Sequence, residues 1–380
     1  MKSICIISDS YYPEKSAAAK LLKDLTEQLL KKKHFVTIVT NGEKNQFIKK
    51  KNLRIIKKKI PFIKSKNLYL KFIGEIFMSD ILKNIYLKKV QIKQDLVICY
   101  SPSIFFTSLI QNIKLNKNGK KLVLIRDIFP DWLTDAGLFK KENVIYKFLK
   151  MKQKSFYNSF DVLAVQSDYD KKYIRKIINK NKILITIKNW INLSENRLKI
   201  KKKNNKRTKF IFAGNIGLGQ DIGFLVKFIE VINMFYSKFH FSIVGDGRGV
   251  QDLKKRLKLK NYKNYFFINK IKQNNYENFL SKFDVGIISL NKNIKYNNFP
   301  GKLLTYMKCN LPIFAYCSKK IELFNFINKK RIGVAINTYN TFQIRDKIKL
   351  IIDGKYQNRK ILKEEFSLKK ATNKILEYLN

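Results

Sequence analysis

Short apolar runs rich in β-branched residues alternate with segments of helical period along nearly the whole chain, and this alternation constrains the fold more than any other feature. The first half carries Ile4-Cys5-Ile6-Ile7, Val36-Thr37-Ile38-Val39, Leu96-Val97-Ile98-Cys99, Leu122-Val123-Leu124-Ile125, Val162-Leu163-Ala164-Val165 and Ile183-Leu184-Ile185. Strands apolar on both faces and separated by helices build a parallel sheet covered on both sides. Between the first two runs, Ser16 can cap a helix whose Leu21, Leu22, Leu25, Leu29 and Leu30 recur at helical spacing, which completes one βαβ unit.

The polar run Lys199 to Lys209, KIKKKNNKRTK, reads as a linker. A second series follows it: Phe210-Ile211-Phe212-Ala213, Phe241-Ser242-Ile243-Val244, Tyr265-Phe266-Phe267-Ile268, Val285-Gly286-Ile287-Ile288, Pro312-Ile313-Phe314-Ala315 and Gly333-Val334-Ala335-Ile336. At roughly 150 residues per domain, 380 residues suit two domains. The expected fold class is therefore α/β, with two Rossmann-like, doubly wound parallel-sheet domains at 1–198 and 210–355, joined by a linker at 199–209. A tail, 356–380, carries Phe366, Ala371, Ile375, Leu376 and Leu379 as a helical stripe and is expected to pack back on the first domain. The halves share a rhythm and no repeated sequence.

Lys and Arg number 79 against 28 Asp and Glu, a formal charge of +51 that attracts phosphates, anionic lipid or nucleic acid. Codon bias explains it equally well, since the excess is nearly all Lys beside many Asn and Ile. Cys5, Cys99, Cys309 and Cys317 form no CxxC and lie in or beside apolar runs, which suits a reduced, cytoplasmic protein. The opening MKSICIISDSYYPEK meets Asp9 after an apolar run too short for a signal peptide. No uncharged apolar stretch reaches about 18 residues, so a soluble or peripheral chain is expected.

In open parallel sheets ligands sit beyond the carboxyl ends of the strands, so the loops after each strand hold the candidate chemistry. After Ala213 comes Gly214-Asn215-Ile216-Gly217-Leu218-Gly219-Gln220-Asp221, where glycines let a backbone approach an anion and the next helix offers free N–H groups. A plain strand-to-helix turn would look the same. Gly245-Asp246-Gly247-Arg248-Gly249 is another such turn, with Asp246 as its alternative cap. Tyr296-Asn297-Asn298-Phe299-Pro300-Gly301-Lys302 leads into a helix. Pro300 suits its first turn, leaving the N–H groups of Gly301, Lys302 and Leu303 beside the Lys302 ammonium to hold a diphosphate. In the first half, Arg126-Asp127-Ile128-Phe129-Pro130-Asp131-Trp132 follows a buried strand with more charge than a turn requires, although Arg and Asp also form structural pairs.

Taken in order, the opening strand with YYPEKSAAA, then RDIFPDW, KNWIN, FAGNIGLGQ, IVGDG, FDVGIISL and PGKLLTYMKCNLPIFA, the chain resembles the retaining nucleotide-sugar glycosyltransferases of family four. It looks most like a bacterial branch that assembles surface polysaccharides such as O-antigen or capsule in the cell envelope, including aminosugar transferases of the fucosamine type. The resemblance implies the GT-B fold, with the two domains facing a central cleft. It also implies transfer of a sugar from a nucleotide-diphosphate donor, here a UDP-aminosugar, to a growing, lipid-linked saccharide. Retention by same-face attack, with the leaving phosphate taking the proton, asks for no enzymatic nucleophile, cofactor or metal. On this reading Lys302, Arg126 and Asp127 are catalytic. Gly214, Asn215, Gly217, Gln220, Gly245, Asp246, Asn297, Pro300, Gly301 and Thr305 bind the donor, and Ser16, Ala17, Ala18, Asp131 and Trp132 lie on the acceptor side.

The chain departs from the family in two places. Asn297 and Thr305 replace its E-x7-E glutamates, and Asn215 and Gln220 replace its usual Arg and Lys, so charge neutralisation falls to Lys302, Arg126 and Arg248. There is no DxD, and His34 and His240 suit structural roles. Residues 69–89 place Tyr69, Phe72, Ile73, Ile76, Phe77, Ile81 and Ile85 along one helical side amid lysines, which fits a core-facing helix or contact with the cytoplasmic face of an anionic inner membrane. The rival readings are a basic nucleic-acid-binding protein, for which no RNP, KH or zinc-finger pattern is present, and a sugar-nucleotide epimerase of the same fold.

Overall fold

The computed structural model describes every residue except 15, 64, 66, 102, 136, 194–206, 269–270, 272–274, 294–298 and 380. The chain forms two compact units, Met1–Asn192 with Leu368–Asn380, and Leu193–Ser367.

The first unit is built on β1 (Ser3–Ser8), β2 (Phe35–Asn41), β3 (Gln46–Lys50), β4 (Leu53–Lys58), β5 (Gln94–Ser101), β6 (Leu115–Ile125), β7 (Val162–Val165) and β8 (Ile183–Thr186), in the spatial order β3-β4-β2-β1-β5-β6-β7-β8. All neighbours pair in parallel except β3, which runs antiparallel to β4. That hairpin escapes the reading of apolar runs, because its edge strand QFIKK is mostly exposed and Lys-rich, a composition that also discourages pairing with another chain. Helices α1 (Ala17–Lys31), α2 (Leu68–Lys89), α3 (Thr107–Asn112), α4 (Asp131–Asp135), α5 (Val144–Asn158) and α6 (Asp168–Ile174) complete the unit's own run of chain.

Among the described residues the second unit holds six parallel strands, β9 (Lys209–Ala213), β10 (His240–Val244), β11 (Tyr265–Ile268), β12 (Val285–Ser289), β13 (Ile313–Tyr316) and β14 (Gly333–Ile336), ordered β11-β10-β9-β12-β13-β14. Helices α7 (Ile222–Phe235), α8 (Val250–Leu259), α9 (Tyr276–Leu280), α10 (Gly301–Lys308), α11 (Glu322–Lys329), α12 (Thr341–Asp353) and α13 (Asn358–Glu365) surround them. Its core is aromatic: Phe210, Phe212, Phe224, Phe228, Phe241 and Phe314 are fully buried, each contributing about 1.5–3 kcal/mol. Phe224 stacks on Tyr316 with ring centroids 4.3 Å apart.

Both sheets are doubly wound. The chain turns back past its first strand between β1 and β5 in one unit, and between β9 and β12 in the other. The expected linker lies for the most part outside the described residues, and its last residue, Lys209, already belongs to β9. The tail divides differently from the expectation of one helix from 356. Helix α13 belongs to the second unit, and only α14 (Leu368–Leu376) packs in the first, where Leu368, Ala371, Ile375 and Leu379 join Leu22, Leu25 and Leu29 of α1 in one core. Phe366, read as part of the same stripe, packs edge-on against Phe299 and Phe326 in the second unit.

Candidate functional site

The second unit brings its expected donor residues to the carboxyl ends of β9, β10 and β12, around the β9/β12 switch point. The 214–221 loop is stitched to the end of β12: Asn291 donates its N–H to the Gly219 carbonyl at 3.1 Å, and the Ser289 hydroxyl donates to the Asp221 carbonyl at 2.7 Å. The neighbouring turn is held by Ile216 N–H to the Asp246 carbonyl and Gly249 N–H to the Ile216 carbonyl, both 2.8 Å. Glycine is required at three points, and at Gly245, with φ +157°, a Cβ would run into the Gly214 carbonyl oxygen. Gly214 has φ +134° and Gly247 φ +138°, and a Cβ on Gly247 would lie 2.5 Å from the Ile216 carbonyl oxygen. Gly217 carries no such demand, because its φ is ordinary and an added Cβ meets only the Asn215 side-chain amide.

Lys302 is the centre of this arrangement. Its ammonium donates to Gln220 Oε1 at 2.9 Å and lies 3.8 Å above the Phe212 ring, while a Cβ on Gly214 would come within 3.5 Å of it. Burial lowers its pKa from the ordinary 10.5 to about 7. Pro300 is the N-cap of α10 rather than a residue of its first turn, and the Leu303 N–H is spent on the Pro300 carbonyl at 2.9 Å. The N–H groups of Gly301 and Lys302 keep no partner among the described residues, and the space beside the Gly301 Cα is open.

Two residues that aim this helix escape sequence reasoning. Tyr306 accepts the Ala213 N–H at 2.8 Å and stands against Gly286 of β12, where a Cβ would lie 2.5 Å from its ring. Phe299, buried in the second unit against Phe326 and Phe366, anchors the chain just before Pro300. The signal for the first was Gly286 inside a strand pattern, a sign of close approach by another side chain.

Other expected donor residues have local duties. Asp246 is exposed and accepts the Gly247 N–H at 2.7 Å, Asn215 and Arg248 are exposed, and the Thr305 hydroxyl donates back to the Gly301 carbonyl at 3.3 Å. Asn297 lies outside the described residues.

The first unit revises several expectations. Asp131 is buried and saturated: Tyr146, Tyr173, Lys150 and Gln153 all donate to its carboxylate, which makes it a structural hub rather than a group free for an acceptor. Arg126 is also buried, donating to the Ile187 carbonyl at 2.6 Å and lying over the rings of Tyr100 and Trp190. Its guanidinium braces the end of the first sheet, and its Nε and Nη2 make no hydrogen bond within range among the described residues. Asp127 is exposed and Trp132 half-buried. Ser16 caps α1 through the Ala19 N–H at 3.0 Å, with Ala17 exposed and Ala18 half-buried behind it.

Residues 193–369 match the family described as Glycosyl transferases group 1. Among curated proteins, a probable glycosyltransferase, WbjE of Pseudomonas aeruginosa, is 27% identical over 231 residues, which span 56% of this chain and 55% of that protein. Among solved structures, sucrose-phosphate synthase from Thermosynechococcus elongatus superposes with a TM-score of 0.74 at 12% identity, covering 99% of this chain and 98% of its own. WaaG, a glycosyltransferase involved in lipopolysaccharide biosynthesis, gives 0.62 at 12% identity, covering 98% and 99%. The fold is GT-B, and these findings support a transferase.

Proposed function

We propose that this chain is a retaining, metal-independent glycosyltransferase that moves a sugar from a nucleotide-diphosphate donor, a UDP-aminosugar, to a lipid-linked acceptor in surface-polysaccharide assembly. The observation that carries this reading is the Lys302 ammonium held between Phe212 and Gln220, below Gly214 and beside the N–H groups that open α10, which have no partner among the described residues. A cation and preorganised N–H donors are what a diphosphate leaving group needs as the glycosidic bond breaks. The glycine turns leave room for phosphate oxygens to approach the backbone.

A peripheral position at an anionic membrane fits the same reading. Helix α2 turns Met78, Leu82 and Tyr86 inward and leaves Tyr69, Ile73, Ile76 and Phe77 exposed. Residues 60–62 cross it so closely at Gly74 that a Cβ there would lie 2.5 Å from the Pro61 carbonyl oxygen. Between them is an apolar recess of about 320 Å³ lined by Ile60, Pro61, Phe62, Ile73 and Phe77, with exposed Lys88 and Lys89 further along the helix. No described helix is long and apolar enough to cross a membrane.

The test is thermal unfolding with UDP, GDP, CDP or a single-stranded oligonucleotide. Stabilisation by UDP, followed by sugar release from a UDP-aminosugar, is expected. Stabilisation by the oligonucleotide alone would turn the +51 charge toward nucleic acid and refute the reading.

A further inference from the structure

Strands β9 and β12 are neighbours in the second sheet, yet they pair at only two positions, Phe210 with Val285 and Ile211 with Gly286. Past Gly286, β12 stays with β13 as far as Ser289, and β9 stays with β10 as far as Ala213. The strands part at the switch point, and Ala213 is left without a partner on β12. Beyond it the gap closes again, where Gln220 bridges to Leu290 and Asn291 donates to the Gly219 carbonyl. Tyr306 fills the interval. Its hydroxyl accepts the Ala213 N–H at 2.8 Å and donates to the Ile211 carbonyl at 3.3 Å, and its ring occupies the space that a Cβ on Gly286 would need. Burial first, then Tyr276 and Cys309, holds this hydroxyl well above the ordinary tyrosine range, so it stays protonated and can both donate and accept.

We propose that Tyr306 is a positioning residue for the Lys302 ammonium: its hydroxyl stands in for the pairing that β12 gives up, and so ties α10 to the end of β9. Lys302 and Tyr306 are four residues apart on α10, so their side chains leave the same side of the helix. Both end on β9. The hydroxyl meets Ile211 and Ala213, and the ammonium lies 3.8 Å from the ring centre of Phe212, the residue between them in the chain. Ile211 and Ala213 are fully buried, so without the hydroxyl two backbone groups must find other partners, which the end of β9 can do only by shifting or by admitting water. A phenylalanine would fill the same space beside Gly286, so packing alone does not ask for the hydroxyl. That Lys302 meets a phosphate rests on the transferase reading above; that Tyr306 sets its place does not.

NMR of the full chain labelled with [¹³Cε]lysine reads the Lys302 amine directly, its resonance identified by its loss in Lys302→Met. The wild-type amine is expected to titrate at about 7, and in Tyr306→Phe about one pH unit or more higher, as the ammonium leaves Phe212 and Gln220 for water. UDP affinity by calorimetry should fall at least fivefold in the same variant. Gly286→Ala drives the ring away from the strand and is expected to move both readouts the same way, and it carries the test should Tyr306→Phe unfold. Ile375→Ala, which loosens the core of the first unit, should move neither, so lost stability by itself does not imitate the effect. A wild-type Lys302 titration in Tyr306→Phe overturns the proposal, whatever the variant's stability. A raised titration in a protein that does not bind UDP upholds the positioning role and sinks the donor reading.

Discussion

Lys302 owes its character to what surrounds it. A Lys after Pro-Gly at a helix start is visible in the sequence, but the Phe212 ring beneath the ammonium and the Gln220 oxygen beside it come from a strand and a loop some 80 to 90 positions earlier. Lys302→Ala should lower turnover at least tenfold, about 1.4 kcal/mol of transition-state stabilisation, with folding unchanged, as steady-state kinetics and circular dichroism will read. With a pKa near 7 the free amine is mostly neutral at pH 8, and a bound diphosphate raises that pKa. UDP binding at pH 8 should therefore take up a proton and weaken from pH 7 to 9. Calorimetric enthalpies that vary with buffer in the wild type, and do not in Lys302→Met, check this. Gly214→Val forces a branched side chain into φ +134° against Lys302 and should abolish UDP binding, while Gly217→Ala should change affinity less than threefold. Equal affinities by calorimetry would make the loop an ordinary turn.

Among the elements, α2 and α14 show how a periodic stripe misleads. Both were legible as helices, but the stripe from Tyr69 to Ile85 is largely the exposed side of α2, since Met78, Leu82 and Tyr86 take its core positions. An apolar residue at helical spacing can face a core or a partner, and only the rest of the fold decides. Phe77→Ser with Ile73→Ser should reduce co-flotation with phosphatidylglycerol vesicles severalfold and leave phosphatidylcholine binding at background. Undiminished flotation would put the contact elsewhere. Helix α14 closes the core of the first unit, where Ile375 is fully buried. Ile375→Ala should cost about 2–5 kcal/mol by denaturant unfolding. A cost under about 0.5 kcal/mol would mean that the helix is not held there.

At the scale of the whole molecule, the proposed donor site neutralises phosphate with Lys302 and helix N–H groups, so transfer should persist in EDTA. Lost activity that Mg²⁺ or Mn²⁺ restores would bring exposed carboxylates such as Asp127 or Asp246 into the site as ligands. The sequence by itself determined the two parallel sheets, because continuous apolar runs can be buried only between helices, and it determined the strand-end loops, because Gly and Pro punctuate them. It also singled out Lys302 and the glycine turns of the proposed donor site, though not Tyr306 and Phe299, which aim α10. Tertiary structure alone decided which of them meet. Asp131 became a saturated hub because α5 and α6 bring Tyr146, Lys150, Gln153 and Tyr173 to it. Arg126 became a brace because the segment after β8 passes over it. Hydrogen bonds and ion pairs are satisfied by whatever the fold brings within about 3 Å, and that distance is not written in the spacing of residues along the chain.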